Sequence, residues 1–237
     1  MISLVCLDMA GTTVQDGGVV VDAFRTALTD VGLEPGTAGH DDAVQYALDT
    51  MGQSKIAVFT ALFDGDQVRA DAANAAFERA YADTVERGVR PVDGAVDSLE
   101  ALRASGRRVA LTTGFSPATR DAVLDALGWR DLVDLALSPA DAGRGRPFPD
   151  MVLQAVLRTQ TDDVRRVAVV GDTVADLLTG SRAGASVVAG VRTGTHGDAD
   201  FRAVPHTHVI DSVADLPALL ERVDAGVDAP LATPVGA

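Results

Sequence analysis

Four short apolar runs, each ending in an acid or a hydroxyl, limit what this chain can fold into. They are SLVCLD (3–8), RRVALTT (107–113), DLVDLALS (131–138) and VRRVAVVGDT (164–173). Apolar side chains at consecutive positions suit strands covered on both faces, as in a parallel sheet. Segments 116–129 and 148–159 lie between the last three runs and carry apolar residues at three- and four-residue intervals, the helical period. Segment 174–185 repeats that period, and SVVAGVRTG and THVIDS read as two further strands. Strand and helix in alternation predict an α/β fold, a doubly wound Rossmann-like parallel sheet that binds its ligand at the carboxyl ends of the strands.

The interval between the first and second runs is far too long for a single crossover and reads as helix after helix from Val21 to Gly88. It predicts an inserted helical cap over 16–91, with the catalytic core formed by 1–15 and 92–222 and a fraying, Pro-rich tail over 223–237. QDGGVV (15–20) is expected to be a turn into the cap and RGVRPVDG (87–94) the way out, with Gly and Pro marking hinges at both. An apolar fraction of 47% in 237 residues supplies a sizeable core. A net charge of -14 with no basic stripe argues against nucleic acid and anionic lipid as partners. The one cysteine, Cys6, excludes an internal disulfide, and no apolar stretch is long enough to span a membrane, so cytoplasm is the expected location.

The acids and hydroxyls that end the strands deserve weighing together. Asp8 follows LVCL, Thr112 and Thr113 follow RVAL, and Asp172 and Asp176 sit in VVGDTVAD. Any one of them could be a helix cap or a turn residue. A carboxylate, a hydroxyl pair and an Asp-x-x-x-Asp converging on one sheet edge favour a polar site.

DMAGTT, LTTG, GRPFP and GDTVAD occur in the order and spacing of the haloacid dehalogenase superfamily, and the chain resembles that superfamily from Ile2 to about Val191. Within it the resemblance is to the phosphonoacetaldehyde hydrolase branch. The resemblance implies that Asp8 is a nucleophile forming an aspartyl phosphate, and that Mg2+ is held by Asp8, the Ala10 carbonyl and Asp172 with Asp176 in support. It implies phosphoryl-binding roles for Thr113 and Arg146, substrate contacts from Gly11, Thr12, Met51, Gly114 and Phe115, and donation to the phosphate by amides of the loop after Asp8. It also implies a small phosphonate or phosphorylated metabolite as substrate and a homodimer formed through cap helices, for which the apolar run IAVFTALF (56–63) is the motive.

Two features point to the finer activity. Most phosphomonoesterases of the superfamily carry, two residues after the nucleophile, an Asp that protonates the departing alkoxide; this chain has Ala10 there. Losing such an acid costs a phosphoesterase about 10²- to 10⁴-fold. Second, Lys55 is the only lysine among twenty basic residues, in a segment, MGQSK, that matches the branch's lysine motif. The resemblance implies that Lys55 condenses with an aldehyde and that carbon-phosphorus cleavage expels an enamine instead of an alkoxide. An arginine could not do this, because its guanidinium stays protonated. Met51, Ile56, Val58 and Phe59 are the apolar neighbours expected to lower the pKa of the amine, helped by a helix starting at Thr50 or Ser54. The chain departs from the branch at Val58, where the branch has histidine, at Phe115, where it has tyrosine, and in QDGGVV, which lacks its cysteine. The alternative is a phosphomonoesterase acting on a small sugar phosphate or related metabolite.

Overall fold

The protein is described here over residues 1–228 of a computed structural model. β1 (Leu4–Asp8) is buried at every position because it lies in mid-sheet with structure on both faces. Its alternating side chains divide the interior: Val5 and Leu7 join one core with Leu111 and Val170, whereas Leu4 and Cys6 enter a second with Val152, Ala155 and Ala183. After β1 the chain forms α1 (Val19–Asp30), α2 (Ala38–Asp49), α3 (Lys55–Leu62) and α4 (Gln67–Gly88) before returning through α5 (Ala95–Ala104) to β2 (Arg108–Thr112). There follow α6 (Pro117–Leu127), β3 (Leu135–Leu137), α7 (Asp150–Thr159), β4 (Val167–Gly171), α8 (Val174–Ala183), β5 (Val187–Val191), the short α9 (Asp198–Phe201), β6 (His208–Ile210) and α10 (Leu216–Asp224).

The strands form one parallel sheet in the order β3-β2-β1-β4-β5-β6. Asp8 pairs with Thr112 and Leu7 with Val170, so the carboxyl ends of β1, β2 and β4 finish level. The chain builds outward from β1 through β2 to β3 and then resumes on the other side of β1 with β4. That reversal opens the crevice in which open α/β sheets bind ligands, and Asp8 and Asp172 stand on its two lips.

Helices α1, α3 and α4 pack around an aromatic cluster in which the Phe24 ring lies 5.0 Å from both Phe59 and Phe77. Such pairs add about 0.5–1.5 kcal/mol each beyond the area they bury. The two strands of chain joining these helices to the sheet run side by side. Gln15 N donates to Arg90 O and Val92 N to Thr13 O, each at 2.9 Å, so the crossing is pinned by backbone bonds beside the expected hinges.

Two expectations need correction. The turn at 15–20 is shorter than expected: Gly18, at φ 86°, caps α1, and Val19 and Val20 already belong to the helix. The tail does not begin at residue 223, because α10 runs to Asp224, whose carboxylate accepts from Ile2 N at 2.7 Å and pairs with Arg107 Nη2 at 2.8 Å. The rest of that segment from 229 onward lies outside the described residues. In the run IAVFTALF, Val58, Phe59 and Phe63 are buried, Ile56, Thr60 and Leu62 are half-buried, and Ala57 and Ala61 are exposed. No helix among the described residues is long and apolar enough to cross a membrane.

Candidate active site

Asp8 ends β1 almost wholly buried, with one oxygen 2.6 Å from Arg146 Nη2. The following loop folds around a single carbonyl: the amides of Thr12, Thr13 and Val14 all donate to Met9 O, and Gly11 N donates to Val14 O. These four amides are therefore engaged within the loop. Gly11 is required for a different neighbour. At φ +87° it passes so close to Asp172 that a Cβ would sit 2.5 Å from its carboxylate oxygen. Thr12 likewise turns away from the cavity and donates its hydroxyl to Asp172 Oδ1 at 3.1 Å.

Asp172 follows β4 and is also held by the amide of Thr195, 2.8 Å from Oδ2. Asp176, one turn into α8, has both oxygens occupied: Oδ1 pairs with Arg146 Nη1 at 2.9 Å, and Oδ2 accepts from the amide (3.1 Å) and hydroxyl (2.5 Å) of Thr173. Arg146 is thus clamped between Asp8 and Asp176, with Nη2 also donating to Thr112 Oγ1 at 3.0 Å and Nη1 to Gly52 O at 3.3 Å. A planar, always-protonated fork suits a residue that must hold two carboxylates at once.

Oxygens of Asp8, Asp172 and Asp176 all come within 4.8 Å of one another. Arg146 is the one full positive charge among them, so burial and mutual repulsion push Asp8 up to about 6 and Asp172 well above the ordinary carboxylate range. Excess negative charge on hard oxygen donors is what a small divalent cation neutralises. Asp8 and Asp172, with Ala10 on the same wall, fit such an ion, whereas Asp176 is committed to Arg146 and Thr173.

Lys55 opens α3 and reaches the same crevice from above. Its Nζ lies 5.4 Å from the centroid of Phe24, 5.8 Å from Phe77 and 5.7 Å from Phe115. Burial pushes the amine down to about 8; the negative charges of Asp8 and Asp16 oppose that shift and Arg146 adds to it. The segment carrying Lys55 sits tightly on the sheet. Gln53 O would be 2.4 Å from a Cβ on Gly114, and Lys55 N donates to Gly114 O at 3.4 Å.

Asp8, Ala10, Met51, Lys55 and Thr113 line one cavity, joined by Gly114, Phe115, Arg146 and Asp172. Gly11, Thr12 and Asp176 lie behind its wall. The cavity holds about 30 Å³, room for roughly one water. The sequence reading missed five lining residues: Asp16, Val20, Gly52, Thr173 and Thr195. Asp16 looked like part of a Gly-rich turn, and its one visible signal was an acid placed soon after the nucleophile loop. Phe24 and Phe77, which surround the amine, are spaced like ordinary helix core and carried no separate signal.

A family model described as haloacid dehalogenase-like hydrolase matches residues 2–184. A phosphonoacetaldehyde hydrolase of Bacteroides fragilis is 28% identical over 177 residues, 64% of this chain, and the match spans just under two thirds (66%) of that relative. A phosphonoacetaldehyde hydrolase of Parabacteroides distasonis is 25% identical over 265 residues, covering 94% of this chain and 97% of the relative. Among solved structures, a phosphonoacetaldehyde hydrolase-like protein from Oleispira antarctica superposes with a TM-score of 0.77 at 23% identity, over 96% of this chain and 94% of that one.

Proposed function

Because the chain belongs to the haloacid dehalogenase-like hydrolase family, we propose that it cleaves the carbon-phosphorus bond of a small aldehyde phosphonate of the phosphonoacetaldehyde type. One observation carries the reading: the only amine side chain in the protein is buried on the same cavity as Asp8, with its pKa lowered to about 8. At pH 7 about a tenth of such an amine is neutral, against about one part in 3,000 for a lysine at its ordinary value. The names of the relatives from Bacteroides fragilis and Parabacteroides distasonis agree with this reading.

The chemistry proceeds from these residues. Lys55 Nζ adds to the aldehyde carbon, water departs, and a protonated imine remains. An oxygen of Asp8 attacks phosphorus, and the electrons of the breaking carbon-phosphorus bond flow into the imine to give an enamine. The enamine is protonated at carbon and hydrolysed, while a second water releases phosphate from Asp8. No alkoxide forms, so Ala10 can stand where an ester hydrolase needs an acid. Arg146 orients the attacking carboxylate and Thr113 offers its hydroxyl on the cavity wall. Asp8, the Ala10 carbonyl and Asp172 would hold Mg2+, which when bound neutralises charge on the phosphoryl oxygens.

The test is product stoichiometry. Phosphonoacetaldehyde should yield phosphate and acetaldehyde in equal amounts, and Lys55→Arg should lower both by at least about a thousandfold. Release of phosphate from small phosphate esters with none from phosphonoacetaldehyde, undiminished in Lys55→Arg, would replace this reading with the phosphomonoesterase one.

A further inference from the structure

Imine chemistry moves protons, and the two groups that the branch has at positions 58 and 115 are an isopropyl and a phenyl here. Val58 is buried in the helical cluster away from the cavity, and Phe115 presents a ring to Lys55. The ionisable side chains lining the cavity are Asp8, Asp16, Lys55, Arg146 and Asp172. Asp8 is the nucleophile, Asp172 belongs to the cation site, Arg146 does not give up its proton, and Lys55 is the attacking amine. One ionisable group remains without a task.

We propose that Asp16 is the proton carrier for the Lys55 imine, a catalytic residue on the aldehyde side of the cavity. This rests on the proposed imine reading. Asp16 lies just before α1, at the point where the chain leaves the sheet, and Oδ1 accepts from Val20 N at 3.2 Å, so the helix start fixes its carboxyl in place. Val20 itself lines the cavity beside it. The charged groups acting on Asp16 are Lys55 from α3 and Asp22 from α1. Burial raises its pKa, which brings its protonated form closer to neutral pH, and the Lys55 charge works the other way.

The step balances. In the neutral carbinolamine formed by Lys55, the nitrogen lone pair makes the C=N bond as the C–O bond breaks. The departing oxygen takes the proton of the Asp16 carboxyl and leaves as water, giving the protonated imine and a carboxylate. After phosphoryl transfer, water attacks the acetaldehyde imine and Asp16 takes a proton from it, which restores the acid.

The test follows the rate at which borohydride can trap phosphonoacetaldehyde on Lys55, separately from the final extent of trapping. Asp16→Asn keeps an oxygen for Val20 N but loses the acid. Trapping should slow by about 10²- to 10³-fold, yet reach the wild-type extent on long incubation, because a proton carrier changes the rate of imine formation and not its equilibrium. Asp16→Ser, which also retains an oxygen near the helix start, should slow trapping equally, and Asp16→Glu should recover at least about tenfold of the loss. Wild-type rates in the Asn and Ser variants, with the wild-type protein trapped normally, overturn the role of Asp16 alone. Absence of any adduct on wild-type Lys55 overturns the imine reading and this role with it.

Discussion

Replacing Lys55 by methionine should stabilise the protein near neutral pH, by an amount that disappears in alkali. The lysine is only 6% exposed and its amine sits among three aromatic rings with a pKa of about 8. The drop from the ordinary 10.5 to about 8 is equivalent to about 3 kcal/mol. The sign follows from proton counts. Between pH 8 and 10.5 the unfolded chain keeps a proton that the folded chain has released, so wild-type stability rises with pH across that window through this residue. Below pH 8 both states are protonated and the whole penalty is present. Methionine, of similar length and apolar, does not titrate, so the rise in stability that this amine contributes with pH is absent from the variant. The difference in unfolding free energy, measured by urea denaturation in chelator at pH 7, 9 and 10.5, should therefore shift by about 3 kcal/mol in favour of wild type across the series. A difference that stays constant with pH would refute the claim that burial has unmasked this amine.

Other consequences follow from the same site. Arg146→Met strands Asp8 without its buried partner and should cost about 3–5 kcal/mol at pH 7.5, with the loss shrinking as pH falls toward 6, because Asp8, already at about 6 beside the guanidinium, rises further without it and takes up a proton; denaturant midpoints at the two pH values check this. Gly11→Ala forces a Cβ against the Asp172 carboxylate in a left-handed backbone and should weaken magnesium binding by at least about tenfold in calorimetric titration. With phosphonoacetaldehyde, kcat/KM should climb about tenfold per pH unit below the Lys55 value of about 8 and level off above it, and saturating magnesium should move that limb to lower pH, since added positive charge disfavours the ammonium.

The sheet was legible because parallel strands buried on both faces leave uninterrupted apolar runs, and β1, β4 and β5 are buried at every position. The polar residues ending those runs led directly to the crevice between β1 and β4. What sequence could not convey was the direction of side chains in three dimensions. Lys55 was expected to be desolvated by its chain neighbours, but Val58 and Phe59 turn into the helical cluster, and the rings around Nζ come from α1, α4 and the loop after β2. Local sequence reports which residues share a helix, not which neighbouring element supplies the walls. Gly11 and Thr12 show the same limit. A Gly-Thr pair after a nucleophile suggests phosphate contact, yet the amides of Gly11 and Thr12 bond within the loop and both residues pack on Asp172. Asp16 was hidden for the opposite reason, since an acid before two glycines resembles any turn until α1 is seen to hold it on the cavity wall.

The most direct test of the central claim is borohydride reduction of wild-type protein mixed with phosphonoacetaldehyde, followed by intact mass and peptide mapping. A single lysine makes the assignment clean apart from the N-terminus. The account predicts one ethyl adduct per chain, on the peptide containing Lys55, formed only when aldehyde and reductant are present together. An unmodified Lys55 peptide under conditions where the protein releases phosphate from phosphonoacetaldehyde would contradict it.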